Sequence, residues 1–132
     1  MIDVACAIIT REDGKVLVTQ RSQHMTLPLK MEFPGGKVEP GELPEACLIR
    51  EIQEELAVQI EIIAELPSNK HDYPDSRIHL IPFVCCIIAG TITLIEHVTY
   101  AWMKAEELED LDWAAADIPV VRSYLSFLNT GK

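Results

Sequence analysis

The sequence predicts an α/β protein in which helices pack on the faces of a mixed β-sheet. Three observations point there. Runs of β-branched and aliphatic residues recur along the chain, among them VACAII, VQIEIIAEL and RIHLIPFVCCIIAG, as strands require. Two other stretches, 43–56 and the C-terminal PVVRSYLSFL, space their apolar residues as a helix does. Gly and Pro punctuate the chain between such segments, most densely in PGGKVEPGE.

The elements follow in order. VACAIITREDGKVLVTQR reads as a β-hairpin, two apolar strands about the strong turn signal Asp13-Gly14. SQHMTLPLK is a loop, MEF a short extended piece, and PGGKVEPGE an irregular loop. Between Leu43 and Leu56, the residues Leu48, Ile49, Ile52 and Leu56 share one helical face. VQIEIIAEL, RIHLIPFVCCIIAG and VTYAWM are strands, and KAEELEDL is a short acidic helix. The closing amphipathic helix turns Val120, Val121, Tyr124, Leu125 and Leu128 inward. With no repeat, low-complexity tract or linker, the 132 residues are expected to form one domain, 1–132.

Composition narrows the function classes. The chain is 48% hydrophobic and 24% charged, as an ordinary soluble globular protein is. Its net charge of −10 argues against binding a nucleic-acid polymer, which rests on Lys and Arg neutralising phosphates. A small anionic ligand remains open to it if a metal or a few local cations offset the repulsion. Cys6, Cys47, Cys85 and Cys86 have no zinc-like spacing and sit in apolar surroundings, so they read as buried reduced thiols. His24, His71, His79 and His97 share no metal-ligand spacing either. The apolar stretch 78–95 contains His79, Pro82 and Gly90 and is rich in β-branched residues, so it reads as strand, not membrane span. No signal peptide is evident in MIDVACAIIT. The expectation is a cytoplasmic protein without a membrane partner, monomeric or homodimeric.

One stretch demands a reason. REIQEEL places Glu51, Glu54 and Glu55 on one turn of a helix, where like charges repel by a few tenths of a kcal/mol each. At i, i+3, i+4 spacing the three share an arc of roughly 100°. That arc borders the apolar stripe, so the carboxylates belong at the edge of the core, and no Lys lies on it. A hard divalent cation with oxygen ligands would offset the repulsion; Mg²⁺ takes one or two carboxylates plus substrate phosphates. A solvated acidic helix face is the plainer alternative for such a triplet alone.

The surroundings decide between them. From Gly36 the chain runs Gly, five residues, Glu42, seven residues, then Arg50-Glu51-Ile52-Gln53-Glu54-Glu55. This resembles the Nudix box, G-x5-E-x7-R-E-U-x-E-E-x-G-U, with Ile52 and Val58 at the aliphatic positions U. At residue frequencies near 7% each, six such matches arise by chance at about 10⁻⁷ per starting position. Ala57 stands where the family has a second Gly, which supplies a left-handed helix end. Ala adopts that conformation at a cost of about 1 kcal/mol, or the helix ends differently; slightly altered loop geometry and intact chemistry are expected. EFPGGKVEPGE, TQR, YPDSRIHL and DWAAADIPVV are similar to segments of the MutT-like branch, and within it to cytidine triphosphate pyrophosphohydrolases.

The resemblance implies an α/β/α sandwich around a mixed sheet, and Mg²⁺-dependent hydrolysis of (deoxy)nucleoside triphosphates to monophosphate and pyrophosphate. Mn²⁺ is expected to substitute. Oxidised or modified nucleotides such as 8-oxo-dGTP are candidate substrates; CTP, a modified dCTP or a nucleotide sugar is the alternative, and a nucleotide-sensing module without catalysis would require damaged carboxylates, whereas all are present. It makes Glu54 and Glu55 the main metal ligands, Glu51 ligand or general base, and Gly36 a carbonyl donor to the metal. Such an ion would bridge phosphate oxygens and lower the pKa of the attacking water. Arg50 would orient Glu51 by a charge-assisted hydrogen bond, with Glu42 supporting from behind. Glu96 either joins the metals or is an exposed loop charge. Arg21 and Lys37 are the expected phosphate contacts; Arg77 is out of phase by one residue, which on a strand reverses the face. Asp117 matches the position that reads the base. Ionised, it would only accept hydrogen bonds, from an exocyclic amine or from guanine N1–H and N2; capping the last helix is its other reading. Tyr73 and Phe83 are candidates to stack on the base, and core packing is the alternative for Phe83.

Overall fold

The computed structural model describes residues 1–95 and 99–130. Its strands are β1 (Ile2–Ile9), β2 (Val16–Gln20), β3 (Met31–Glu32), β4 (Gly35–Lys37), β5 (Val58–Glu65), β6 (Asn69–Tyr73), β7 (Ser76–Gly90) and β8 (Thr99–Met103). Its α-helices are α1 (Pro44–Leu56) and α2 (Ile118–Thr130), with 3-10 helices over Ala105–Asp110 and Ala115–Asp117. Among the described residues, no helix is long and apolar enough to cross a membrane.

The larger sheet runs β4-β1-β7-β5, with β6 also pairing β7. β1 and β7 are parallel, the other pairs antiparallel, so the sheet is mixed as expected. Period-2 alternation splits the core between its faces. Ala5, Ala7 and Ile9 of β1 and Ile81, Phe83 and Cys85 of β7 pack with Cys47, Leu48, Ile52 and Leu56 of α1. Cys6, Ile8, Leu80 and Val84 face the other way, onto Val120, Val121 and Tyr124 of α2. Each fully buried Leu or Ile contributes about 1.5–3 kcal/mol, so each helix is held by the sheet face beneath it. The result is the predicted α/β/α sandwich.

Five differences from the sequence expectations appear. The β1–β2 hairpin is only a turn: Gly14 (φ 84) donates to Arg11 and one bridge joins Thr10 to Val16. β1 is buried on both faces and gives both its edges to β4 and β7, so β2 pairs instead with β3 and β8 in a separate three-stranded sheet. The loop PGGKVEPGE begins with a strand, β4. There, a Cβ at Gly35 would collide with the Ala5 carbonyl, so only glycine allows this pairing. β6 was not anticipated, because NKHDY lacks apolar alternation; it is an edge strand held by β7. On α1, Ile49 is exposed and Cys47 takes the buried place. The acidic KAEELEDL segment is 3-10 rather than α-helical and buries only Leu108.

Candidate active site

α1 starts with Pro44 in its first turn, where the missing N–H costs nothing, and Glu45 beside it complements the helix dipole. Its other end defies that dipole. Glu54 and Glu55 lie in the last turns with no basic residue there, an arrangement costing about 0.3–1 kcal/mol per charge. Ala57 itself takes the left-handed conformation (φ 60, ψ 30) and donates to Gln53 at 3.1 Å. The helix therefore ends in the left-handed conformation that the family's Gly would supply.

Arg50 organises the glutamates. Its Nε and Nη2 donate to Glu42 as a two-pronged fork, both at 3.0 Å. Nη1 donates to Glu51 Oε1 at 2.9 Å and lies 3.2–3.3 Å from both oxygens of Glu54. The Arg50 bonds, with a further bond from the Glu39 amide, pull the Glu42 carboxyl down to about 2. The repulsion noted in the sequence is thus offset first by Arg50. Glu51 and Glu55 sit partly buried at the core edge as predicted; Glu54 is exposed.

β4 presses against this face. A Cβ at Gly36 would run into the Glu51 side chain, so any larger residue there would displace that carboxylate. The Cys47 thiol donates behind it to the carbonyls of Lys37 (3.2 Å) and Gly36 (3.7 Å). Glu51, Glu54 and Glu55 form a hard-oxygen donor set suited in kind to a divalent cation. Among the described residues, no three acidic, thiol or imidazole side chains already converge on one point, since Arg50 holds Glu51 and Glu54.

A cavity of about 390 Å³ opens from Gly36, Lys37 and Glu55 and is lined further in by Arg21, Tyr73 and Asp117. Asp117, only 7% exposed, accepts a hydrogen bond from the Phe33 amide at 2.9 Å. It does not cap α2. Burial pushes its carboxyl up to about 8; nearby Glu32 raises it further, while the Phe33 amide and Arg21 oppose the rise. Raised in this way it favours the acid form, which both donates and accepts; the sequence reading took it as ionised. The Tyr73 hydroxyl accepts from the Ala116 amide at 3.0 Å, tying β6 to the Ala115–Asp117 turn.

The cavity brings together Arg21, Gly36, Lys37, Glu55, Tyr73 and Asp117. Glu42, Arg50, Glu51 and Glu54 lie beside its acidic end without lining it. Phe83 packs in the core under α1 and lines no part of it. Arg77 is paired with Asp72 at 2.6 Å on the exposed β6–β7 hairpin. Glu96 lies outside the described residues. Sequence reasoning missed Glu32 and Phe33, which line the cavity just before the Pro34-Gly35-Gly36 run; Phe33 packs on Trp113 with ring centroids 4.7 Å apart. It also missed the 22–30 loop, which walls the cavity with Met25, Thr26 and Leu27. Leu27 (φ 52) and Leu29 (φ 61) are left-handed there, at about 1–2 kcal/mol each.

Comparison with known proteins agrees with this geometry. The NUDIX domain model matches residues 2–124. The chain is 35% identical over 126 residues to the CTP pyrophosphohydrolase of Escherichia coli K12, covering 96% of this chain and 93% of that one. It is 30% identical over 120 residues to the 8-oxo-dGTP diphosphatase of the same strain, covering 91% and 93%. The solution structure of the E. coli ORF135 protein superposes with a TM-score of 0.85 at 32% identity, covering 100% of this chain and 93% of that one. The chain belongs to the Nudix family of acid-anhydride hydrolases, and its likeness runs to the MutT-like branch.

Proposed function

We propose that this protein hydrolyses (deoxy)nucleoside triphosphates to monophosphate and pyrophosphate, with a cytidine base preferred, as a single-domain cytoplasmic enzyme. The observation that carries the reading is one cavity with two chemically different ends: a carboxylate-rich helix end beside Gly36 and Lys37, and Asp117, enclosed against the Phe33 amide.

Members of the family use a divalent metal; we infer Mg²⁺ here, held by Glu51, Glu54 and Glu55 with the Gly36 carbonyl. When bound, such an ion neutralises phosphate charge and activates water. The chain's own groups do the rest. Lys37 lines the cavity at the acidic end and is exposed, so its ammonium is available to a phosphate oxygen. Arg50 keeps Glu51 aimed by its 2.9 Å hydrogen bond. Tyr73 and Phe33 offer aromatic surface to a base.

Asp117 favours one base edge. A carboxylic acid offers one donor and one acceptor, matching the N3 acceptor and N4 amine of cytosine. Guanine presents N1–H and N2 amine donors, which want an ionised carboxylate. The 35% identical relative named for CTP supports the first pairing. The 30% identical relative named for 8-oxo-dGTP supports a second reading, in which oxidised guanine is cleaved as Asp117 ionises.

The test is a panel of normal and oxidised nucleoside triphosphates at pH 7 with Mg²⁺, products resolved by phosphorus NMR. CTP should give CMP and pyrophosphate fastest. Release of inorganic phosphate with CDP, or preference for 8-oxo-dGTP at pH 7, would overturn the corresponding part.

A further inference from the structure

The 22–30 loop holds two residues in strained backbone conformations. Leu27 and Leu29 both stand at positive φ, a region that bulky side chains avoid unless their surroundings impose it. Backbone bonds close the loop's base: Arg21 N–H donates to the Lys30 carbonyl at 2.9 Å, and Leu29 N–H to the Arg21 carbonyl at 3.1 Å. Neither reaches Thr26, the residue midway that lines the cavity.

The Arg21 side chain does. Its Nε donates to the Thr26 carbonyl at 2.5 Å and Nη2 to the Thr26 hydroxyl at 2.9 Å. Nη1 donates to Glu32 Oε1 at 2.8 Å. Glu32 sits on β3, in register with Thr19 of β2, so the anchor is the sheet itself. Three of the guanidinium's five N–H groups are committed in this way, and the side chain is only 17% exposed.

We propose that Arg21 is a positioning residue that pins Thr26 to Glu32 and so keeps the 22–30 loop as a wall of the substrate cavity, where the sequence had suggested a phosphate contact. The planar fork is essential. A lysine ammonium is a single point on a flexible stem and cannot serve Thr26 and Glu32 in this geometry. The effect on substrate binding rests on the nucleotide reading above; the effect on the loop does not.

Amide hydrogen exchange of the nucleotide-free protein, with kcat and KM for CTP, tests this in Arg21→Lys and Arg21→Gln. Exchange over 22–30 should rise about tenfold or more in both, with β1 and α1 unchanged. KM should rise about tenfold while kcat stays within about threefold, since the acidic helix end is untouched. Thr26→Val removes only the hydroxyl contact and should speed loop exchange about threefold; it carries the test if the Arg21 variants do not fold. Unchanged loop exchange in any folded variant overturns the proposal. So does an Arg21→Lys protein that keeps wild-type KM, the result expected of a charge that simply meets a phosphate. If the wild type cleaves no nucleoside triphosphate yet the variants still loosen the loop, the clamp stands and the nucleotide reading falls.

Discussion

The two ends of the cavity treat carboxyl groups in opposite ways. On α1, Glu42, Glu51 and Glu54 surround Arg50 near solvent, and Arg50 holds the Glu42 carboxyl well below the usual range. At the other end Asp117 is enclosed with one backbone amide as its partner, and charge is suppressed. The residue types are nearly the same; what differs is a cation in direct hydrogen-bond contact and access to water. An ionised cluster suits phosphates with a counter-ion, and a neutral acid suits the uncharged edge of a base.

Removing one charged oxygen from the first end should have the largest effect. Glu54→Gln should lower kcat at least about a hundredfold while circular dichroism stays unchanged. A variant with full activity would remove Glu54 from the chemistry. Arg50→Gln should free Glu42, whose carboxyl would rise from about 2 toward the ordinary range near 4, read by carbon-13 NMR. The sign on stability follows: in the wild type the depressed Glu42 group stabilises above its unfolded pKa, and that contribution is lost as pH falls through about 2.

The second end should respond with the opposite sign. Asp117 has a raised folded pKa, so between about 4 and 8 the folded state holds a proton the unfolded state has lost, and stability should fall as pH rises through that window. Asp117→Asn should flatten that slope in urea melts and, because an amide like the acid offers both a donor and an acceptor, keep the CTP-to-8-oxo-dGTP ratio of kcat/KM at pH 7 within about threefold. A slope that survives the substitution would place its origin elsewhere. The smallest effect concerns the helix end shared by neither site: Ala57→Gly should raise stability by up to about 1 kcal/mol through its left-handed φ. Its kcat should not move; a higher urea midpoint with unchanged turnover is the check.

Legibility in the sequence followed the same division. The glutamates, Arg50 and Gly36 stand at fixed local spacings, so the acidic end could be read from chemistry and periodicity together. The α1 and α2 stripes were legible for that reason too, apart from Ile49 and Cys47 exchanging places. The other end is assembled across long separations: Phe33 meets Asp117 over 84 residues, and no local signal encodes that pairing. Nor could burial of Asp117, and hence its proton, be read from DIPVV. The hairpin failed similarly, because a turn signal at Asp13-Gly14 says nothing about β4 and β7 claiming both edges of β1. Phe83 looked available to a base only until its neighbours on α1 were known.

The contrast between the two ends is tested most directly by a carbon-13 titration of the Asp117 side-chain carboxyl in the nucleotide-free protein. A midpoint near 8 is the predicted result. A midpoint near 4, the ordinary aspartate value, would mean that the inner end is charged at neutral pH, and the match to cytosine's acceptor–donor pair over guanine's two donors would be lost.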